Sequence, residues 1–261
     1  MEDFRDLVWR HYHEHARPMP WREEPTLYHV LVSEIMLQQT QVERVRAKYA
    51  AFIERFPDIA ALARAPLADV LIVWQGLGYN RRAKFLHEAA KLIIVDGEPQ
   101  TQSGLQMLPG VGRNTAGAIM NYVYQLPTPF IETNIRTVYF HHFYTNVVDV
   151  SDADLLQVVA DTMDDEHPRE WFWALMDYGA WLKKEAGGRL DQSRHYKKQA
   201  PLEGSVRQLR GEMLRVVTRG AQPLDAINAR FGSDARFERA FIGLLRDGLI
   251  DVTNEMVHLT K

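Results

Sequence analysis

Two glycines one residue apart, Gly110 and Gly112, interrupt a pattern that is helical on both sides. Before them, Ala83, Leu86, Ala90 and Ile93 recur at helical spacing across Asn80–Val95, and after them a helix is expected over Asn114–Gln125. Glycine permits positive φ and close backbone approach, so the chain can turn back on itself here. The turn's amides, with the N-terminus of the next helix, point outward and favour an anion. A DNA phosphate suits that geometry and is held without regard to base sequence. An ordinary tight turn between two helices is the alternative.

The pattern elsewhere is helical for most of the chain. Val30, Leu31, Ile35, Leu37, Val42, Val45, Tyr49 and Phe52 place a helical face over 30–56. Pro57 ends it, and Asp58 is positioned to cap Ile59–Arg64. Pro66 opens a short helix to Trp74, which Gly76-Leu77-Gly78 stops. Leu126-Pro127-Thr128-Pro129 reads as a linker, and helices are expected at about 134–144, 152–163 and 168–184. Residues 186–204 form a polar, basic connection containing glycine and proline. Beyond it, three helices (Val206–Thr218, Pro223–Phe231, Ala235–Asp247) precede a hairpin, Leu249–Val252 and Met256–Leu259, with its turn at Thr253-Asn254-Glu255. Three helices and a terminal hairpin make a winged-helix-like module, suited to DNA, to protein, or to packing against its neighbour.

The chain has 261 residues and no cysteine, which excludes disulfides, a thiol nucleophile and any cysteine-ligated metal or cluster. Ten histidines show no HExxH-like spacing, and adjacent His141 and His142 would face different ways on a helix. No long apolar run suggests a membrane span, and the N-terminus has no apolar signal core, so a cytoplasmic protein is expected. The net charge of −3 argues against a nucleic-acid binder until its distribution is considered. Lys183–Arg219 carries ten Lys/Arg against four acids, whereas Asp149–Glu170 carries eight acids and one Arg.

The full string Leu108-Pro109-Gly110-Val111-Gly112-Arg113-Asn114-Thr115-Ala116 is much more specific than its glycines. It resembles the helix-hairpin-helix signature of the endonuclease-III-like DNA glycosylases. Pro20-Trp21-Arg22, the run Val32-Ser33-Glu34-Ile35-Met36-Leu37-Gln38-Gln39-Thr40-Gln41-Val42, and Trp74-Gln75-Gly76-Leu77-Gly78-Tyr79 resemble the adenine DNA glycosylases (MutY family), in that family's order, over about residues 5–185.

This resemblance implies an all-α, two-lobed fold with the active site between the lobes. A glycosylase domain is expected over 1–185, with a six-helix lobe at about 23–127 and a second lobe from 1–22 and 128–185. A basic linker over 186–204 and a winged-helix-like domain over 205–261 would follow. Glu34 matches the general acid, which protonates N7 of adenine, and its apolar helix would raise its pKa. Glu132 stands where the family has Asp, one methylene longer, in Glu132-Thr133-Asn134-Ile135-Arg136-Thr137-Val138, and Asn134 matches the residue that positions this second carboxylate. Two carboxylates flanking a glycosidic bond protonate the leaving base and stabilise an oxocarbenium-like sugar.

Bifunctional relatives carry a hairpin lysine where this chain has Asn114, so a monofunctional enzyme is expected. Trp21, Arg22 and Asp177 match the base pocket, with Asp177 accepting from the adenine amino group. Gln39 matches the residue wedged into the stack when the base is flipped, and Tyr79 is followed by Asn80 where the family has a second wedging ring. Gly110, Gly112, Arg113, Asn114 and Thr115 would hold phosphate, and a backbone-bound cation at 110–115 is the only metal left open.

The family's four-cysteine iron–sulfur loop, expected after about residue 184, and its large C-terminal domain have no counterpart in this sequence. The basic segment 183–198 would then make phosphate contacts in the loop's place. The expected partner is duplex DNA with a mismatched or damaged base, bound by a monomer without cofactor. The expected activity is excision of adenine opposite guanine or 8-oxoguanine. The alternatives are a mismatch glycosylase for uracil, thymine or another damaged base, and a non-catalytic lesion-binding protein.

Overall fold

The computed structural model describes residues 2–194 and 199–260. In chain order the helices are α1 (Glu2–His15), α2 (Pro20–Glu23), α3 (Leu27–Leu37), α4 (Val42–Arg55), α5 (Ile59–Arg64), α6 (Leu67–Trp74), α7 (Arg81–Asp96), α8 (Gln102–Gln106), α9 (Arg113–Tyr122), α10 (Thr133–His142), α11 (Asp152–Thr162), α12 (Pro168–Ala186), α13 (Val206–Val217), α14 (Leu224–Phe231) and α15 (Phe237–Arg246). A small antiparallel sheet of β1 (Gln222–Pro223), β2 (Ile250–Thr253) and β3 (Met256–Leu259) runs in the order β1-β3-β2. The all-α class and the terminal hairpin agree with the sequence reading. Asn254 and Glu255 both take positive φ, as a tight hairpin turn demands. Among the described residues no helix is long and apolar enough to cross a membrane.

The single helical face expected over 30–56 is two helices. Gln39 adopts φ +54 between α3 and α4, which breaks the helix despite the continuous apolar spacing. The cap at Asp58 is as expected, its carboxylate accepting from Ala61 N at 2.6 Å.

The chain forms two compact units. The first comprises Met1–Glu34, Pro99–Met107 and Val111–Lys198, and the second Ile35–Glu98, Leu108–Gly110 and Gln199–Lys261. In the first, α10 lies against α12, and Phe140, Trp171 and Phe172 are fully buried. Phe130 stacks on Phe172 with ring centroids 4.5 Å apart. A Cβ on Gly179 of α12 would meet the backbone carbonyl of Asn134, so α10 and α12 touch at a place only glycine allows.

In the second unit, Phe52, Phe56, Leu62, Trp74 and Leu86 form one core, and Met213, Leu244 and Val257 belong to the helices and sheet of the C-terminal module. The winged-helix-like module expected over 205–261 clusters with α4–α7, packing against its neighbour being one of the roles the sequence left open. Polar bonds join the two: Lys84 Nζ donates to Asp247 O at 3.0 Å, and Gln75 Nε2 to Thr218 Oγ1.

The second unit holds a buried cation, Arg82, that has no carboxylate partner among the described residues. Arg82 donates to the carbonyls of Ile35, Met36 and Gln38 at 2.8, 2.9 and 2.5 Å, to Thr40 Oγ1 at 2.9 Å, and to the carbonyls of Leu77 and Gly78 at 3.2 and 3.1 Å. It thereby satisfies the carbonyls at the end of α3, where the helix dipole favours a positive charge. Burial pulls its pKa down to about 10.

Candidate active site

Glu34 lies on α3, in a turn with Leu31, Val32 and Ile35 fully buried. Burial raises its carboxyl to about 8; the nearby Glu132 pushes the same way, and Arg22 opposes both. It therefore holds a proton at neutral pH in an apolar setting.

Glu132 is the N-cap of α10, its Oε1 accepting from the backbone N of Asn134 and, at 2.9 Å, of Ile135. Burial raises its pKa too, but the amides of Ile135, Asn134 and Thr133 and the charge of Lys183 act against the rise. The longer arm of Glu132 is thus folded onto the start of its own helix, where the dipole favours an anion. Asn134 contributes to holding it through its backbone amide. Two carboxylates far apart in sequence are brought within electrostatic reach, both raised by burial, with the α10 amides opposing the rise only at Glu132.

Asp177, on α12, is buried and fully occupied. Arg22 donates to it through Nη1 at 2.8 Å and Nη2 at 2.9 Å, and Arg17 through its backbone N at 2.9 Å and Nε at 2.7 Å. Burial pushes its pKa up, yet the hydrogen bonds and charge of Arg22, then Arg17, leave it below the ordinary value. The sequence reading had this carboxylate accepting from a base amino group. In the structure each of its oxygens takes two donors, one from Arg22 and one from Arg17. The Arg22 guanidinium lies 5.2 Å from the centre of the Trp173 ring, and Trp21 beside it in sequence is buried.

Tyr122, at the end of α9, escaped the sequence reading. Its hydroxyl pKa is well above the ordinary value, first by burial and then by Glu34, with Arg22 opposing and Glu132 and Asp177 adding. One buried phenol thus interacts with all four charged groups. A polar ring in the helix that follows the hairpin was the only signal.

At the hairpin, Gly110 has φ +80, and a Cβ there would sit 3.0 Å from Cβ of Phe85. Gly112 is extended and opens α9 as its N-cap, with open space around it and without a side-chain cap. The first-turn amides of Arg113, Asn114 and Thr115 are the ones this leaves to an outside acceptor. Asn114 Oδ1 accepts from Ile131 N at 3.3 Å. Two of the loop's carbonyls already have donors: Gly110 O from Gln38 at 3.0 Å and Arg113 O from Gln102 at 3.4 Å.

Gln39, Tyr79 and Asn80 lie in the second unit. Tyr79, like Gln39, takes positive φ (+47), and its ring centre is 5.5 Å from the Arg82 guanidinium and 5.0 Å from that of Arg207. Asn80 precedes α7 without capping it.

An iron–sulfur cluster needs thiolate ligands, and a chain without cysteine does not fit one. After α12 the chain is instead tied down by peptide and side-chain bonds. Gln192 Nε2 donates to the carbonyls of Tyr144 and Val147 at 2.9 and 2.8 Å, Val150 bridges to Ser193, and Arg194 pairs with Asp149 at 2.8 Å. Lys197 and Lys198 of the basic segment lie outside the described residues.

With this geometry in place, comparisons with known proteins are informative. Residues 32–172 match the family model described as HhH-GPD superfamily base excision DNA repair protein. A relative from Mycolicibacterium smegmatis named adenine DNA glycosylase is 35% identical over 95% of this chain and 92% of its own length. Another of that name from Buchnera aphidicola is 38% identical over 54% of this chain, which spans only 42% of that protein. Among solved structures, a thermostable thymine-DNA glycosylase superposes with a TM-score of 0.64 at 22% identity, covering 73% of this chain and 91% of that one, which speaks for the fold.

Proposed function

We propose, for a chain that belongs to the HhH-GPD superfamily of base excision DNA repair proteins, that it is a monofunctional DNA glycosylase hydrolysing the N-glycosidic bond of a flipped adenine mispaired with guanine or 8-oxoguanine. The observation that carries this reading is the pairing of a Glu34 carboxyl raised to about 8 with a Glu132 carboxylate held at the N-terminus of α10.

The chemistry follows from those two environments. Glu34 donates its proton to the departing base, which leaves with the electrons of the glycosidic bond. Glu132 faces the positive charge that develops on the sugar, and the amides of α10 favour its charged form. Water supplies the oxygen that ends on the anomeric carbon and gives up its proton. Asn114, in the position where an amine would form a Schiff base, has no nucleophilic nitrogen, so the product is an intact strand with an abasic site. Arg22, locked by Asp177, presents a fixed cation beside Trp173 as one wall of the base pocket. The named activity of the M. smegmatis relative supports adenine as the excised base.

The test is a panel of A:8-oxoguanine, A:G, T:G and U:G duplexes, treated with alkali to reveal abasic sites. Excision confined to the adenine-containing strand is expected, lost in Glu34→Gln. Excision of thymine or uracil, or full activity in Glu34→Gln, would overturn the reading. Borohydride should trap no covalent enzyme–DNA adduct.

A further inference from the structure

Within the second unit, a cleft of about 1310 Å³ is bordered by the loops of Gln39 and Tyr79 on one side of the sequence and by residues 199–249 on the other. Its lining holds seven arginines against two acids, Glu212 and Asp247. Several of these charges are already engaged. Arg82 is buried on carbonyls, and Asp247 accepts from Arg210 with Arg81 at 3.8 Å. Arg44 on α4 and Arg215 on α13 are both exposed, and no ion pair forms with either among the described residues. The cleft therefore has an uncompensated positive surface.

Two further features point to the kind of ligand. Gln39 and Tyr79, both non-glycine residues at positive φ, border the cleft. Such backbone is strained and persists where its surroundings impose it, most often at functional sites. The C-terminal segment grips both residues. Arg207 lies over the Tyr79 ring at 5.0 Å and donates to its hydroxyl, and Gln199 Nε2 donates to Gln39 Oε1 at 3.4 Å. Clustered guanidiniums beside an aromatic ring suit a polymer of phosphates and bases better than an acidic peptide, whose carboxylates would leave the ring unused.

We propose that the C-terminal module is a DNA-contacting element, with Arg215, together with Arg44, holding phosphates of the substrate duplex in this cleft. The proposal rests on the glycosylase reading for the identity of its ligand. Arg207 is a positioning residue that sets the Tyr79 ring and so links the module to the loop of Tyr79.

The test is the salt dependence of binding to a short undamaged duplex, measured on the full chain. Removing a side chain that neutralises one phosphate lowers the slope of log affinity against log salt by about 0.9. Arg215→Ala is expected to reduce the slope by about that amount and to weaken binding several-fold at low salt. Arg215→Lys should keep both. Arg239→Ala, an exposed arginine of α15 outside the cleft, should behave as wild type. A slope for Arg215→Ala and Arg44→Ala that matches Arg239→Ala would overturn the proposal. Excision is scored separately: a wild-type chain that excises no base, while Arg215→Ala still flattens the salt slope, would sink the glycosylase reading and leave this one standing.

Discussion

Arg22 and Asp177 meet through two parallel hydrogen bonds, 2.8 and 2.9 Å long, and the side chain of Asp177 is almost wholly out of solvent. Such a fork-to-carboxylate contact fixes both direction and plane of the guanidinium. Replacing Asp177 with Asn removes the charge shared by two arginines and turns an acceptor into a donor. Asp177→Asn should lose about 3 kcal/mol of stability in urea denaturation, and excision should slow in step with the misplacement of Arg22. Arg22→Lys keeps the charge but not the fork, and should fold yet remain slow.

The Glu34 carboxyl titrates at an ordinary 4.5 when unfolded and at about 8 in the folded protein. The unfolded chain therefore releases this proton first. The stability tied to Glu34 is fully present below about pH 4.5 and is lost as pH rises toward 8. Glu34→Gln should accordingly gain more in thermal midpoint at pH 8 than at pH 5, relative to wild type. Single-turnover excision by the wild type should fall as pH passes through about 8, because the acid has then lost its proton.

Gly179 lets α12 rest on the backbone of Asn134. Gly179→Ala inserts a methyl group against main chain, which cannot rotate away. A loss of about 3 kcal/mol is expected, read by chemical denaturation. Because Asn134 belongs to the turn that holds Glu132, excision should fall further than the folded fraction does. Equal losses in both would show that Glu132 does not depend on this packing.

Gln192 spans two carbonyls in the segment that follows α12. Gln192→Ala leaves both without that donor and should cost about 2 kcal/mol. Faster proteolysis after α12 is expected, with the thermal transition lowered in proportion. A Gln192→Ala chain as protease-resistant as wild type would show that the segment is held by its other bonds.

Much of this was readable in the chain. The hairpin string and the run around Glu34 carry their structure locally, because turn glycines and a helix period are properties of neighbouring residues. The same holds for the Asp58 cap and the Asn254-Glu255 turn. What the sequence concealed depends on distance. Arg17 serves Asp177 from 160 positions away, and nothing in the surroundings of either residue announces the other. Tyr122 reads as one more ring in an amphipathic helix until four charges surround it. The break at Gln39 is hidden because the apolar spacing runs straight through it. Arg82, which donates to Gln38 O and Thr40 Oγ1 on either side of the break, reads from sequence as the second of two arginines on a helix and is buried in the structure.

That arginine holds the residues on either side of Gln39 and those before Tyr79 at once, with carbonyls of both turns converging on one planar cation. Neither turn can be altered in isolation, since any rearrangement of one strips hydrogen bonds from the group that shapes the other. The two loops act as one hinged pair with a shared rivet, and substitutions placed one in each should combine non-additively.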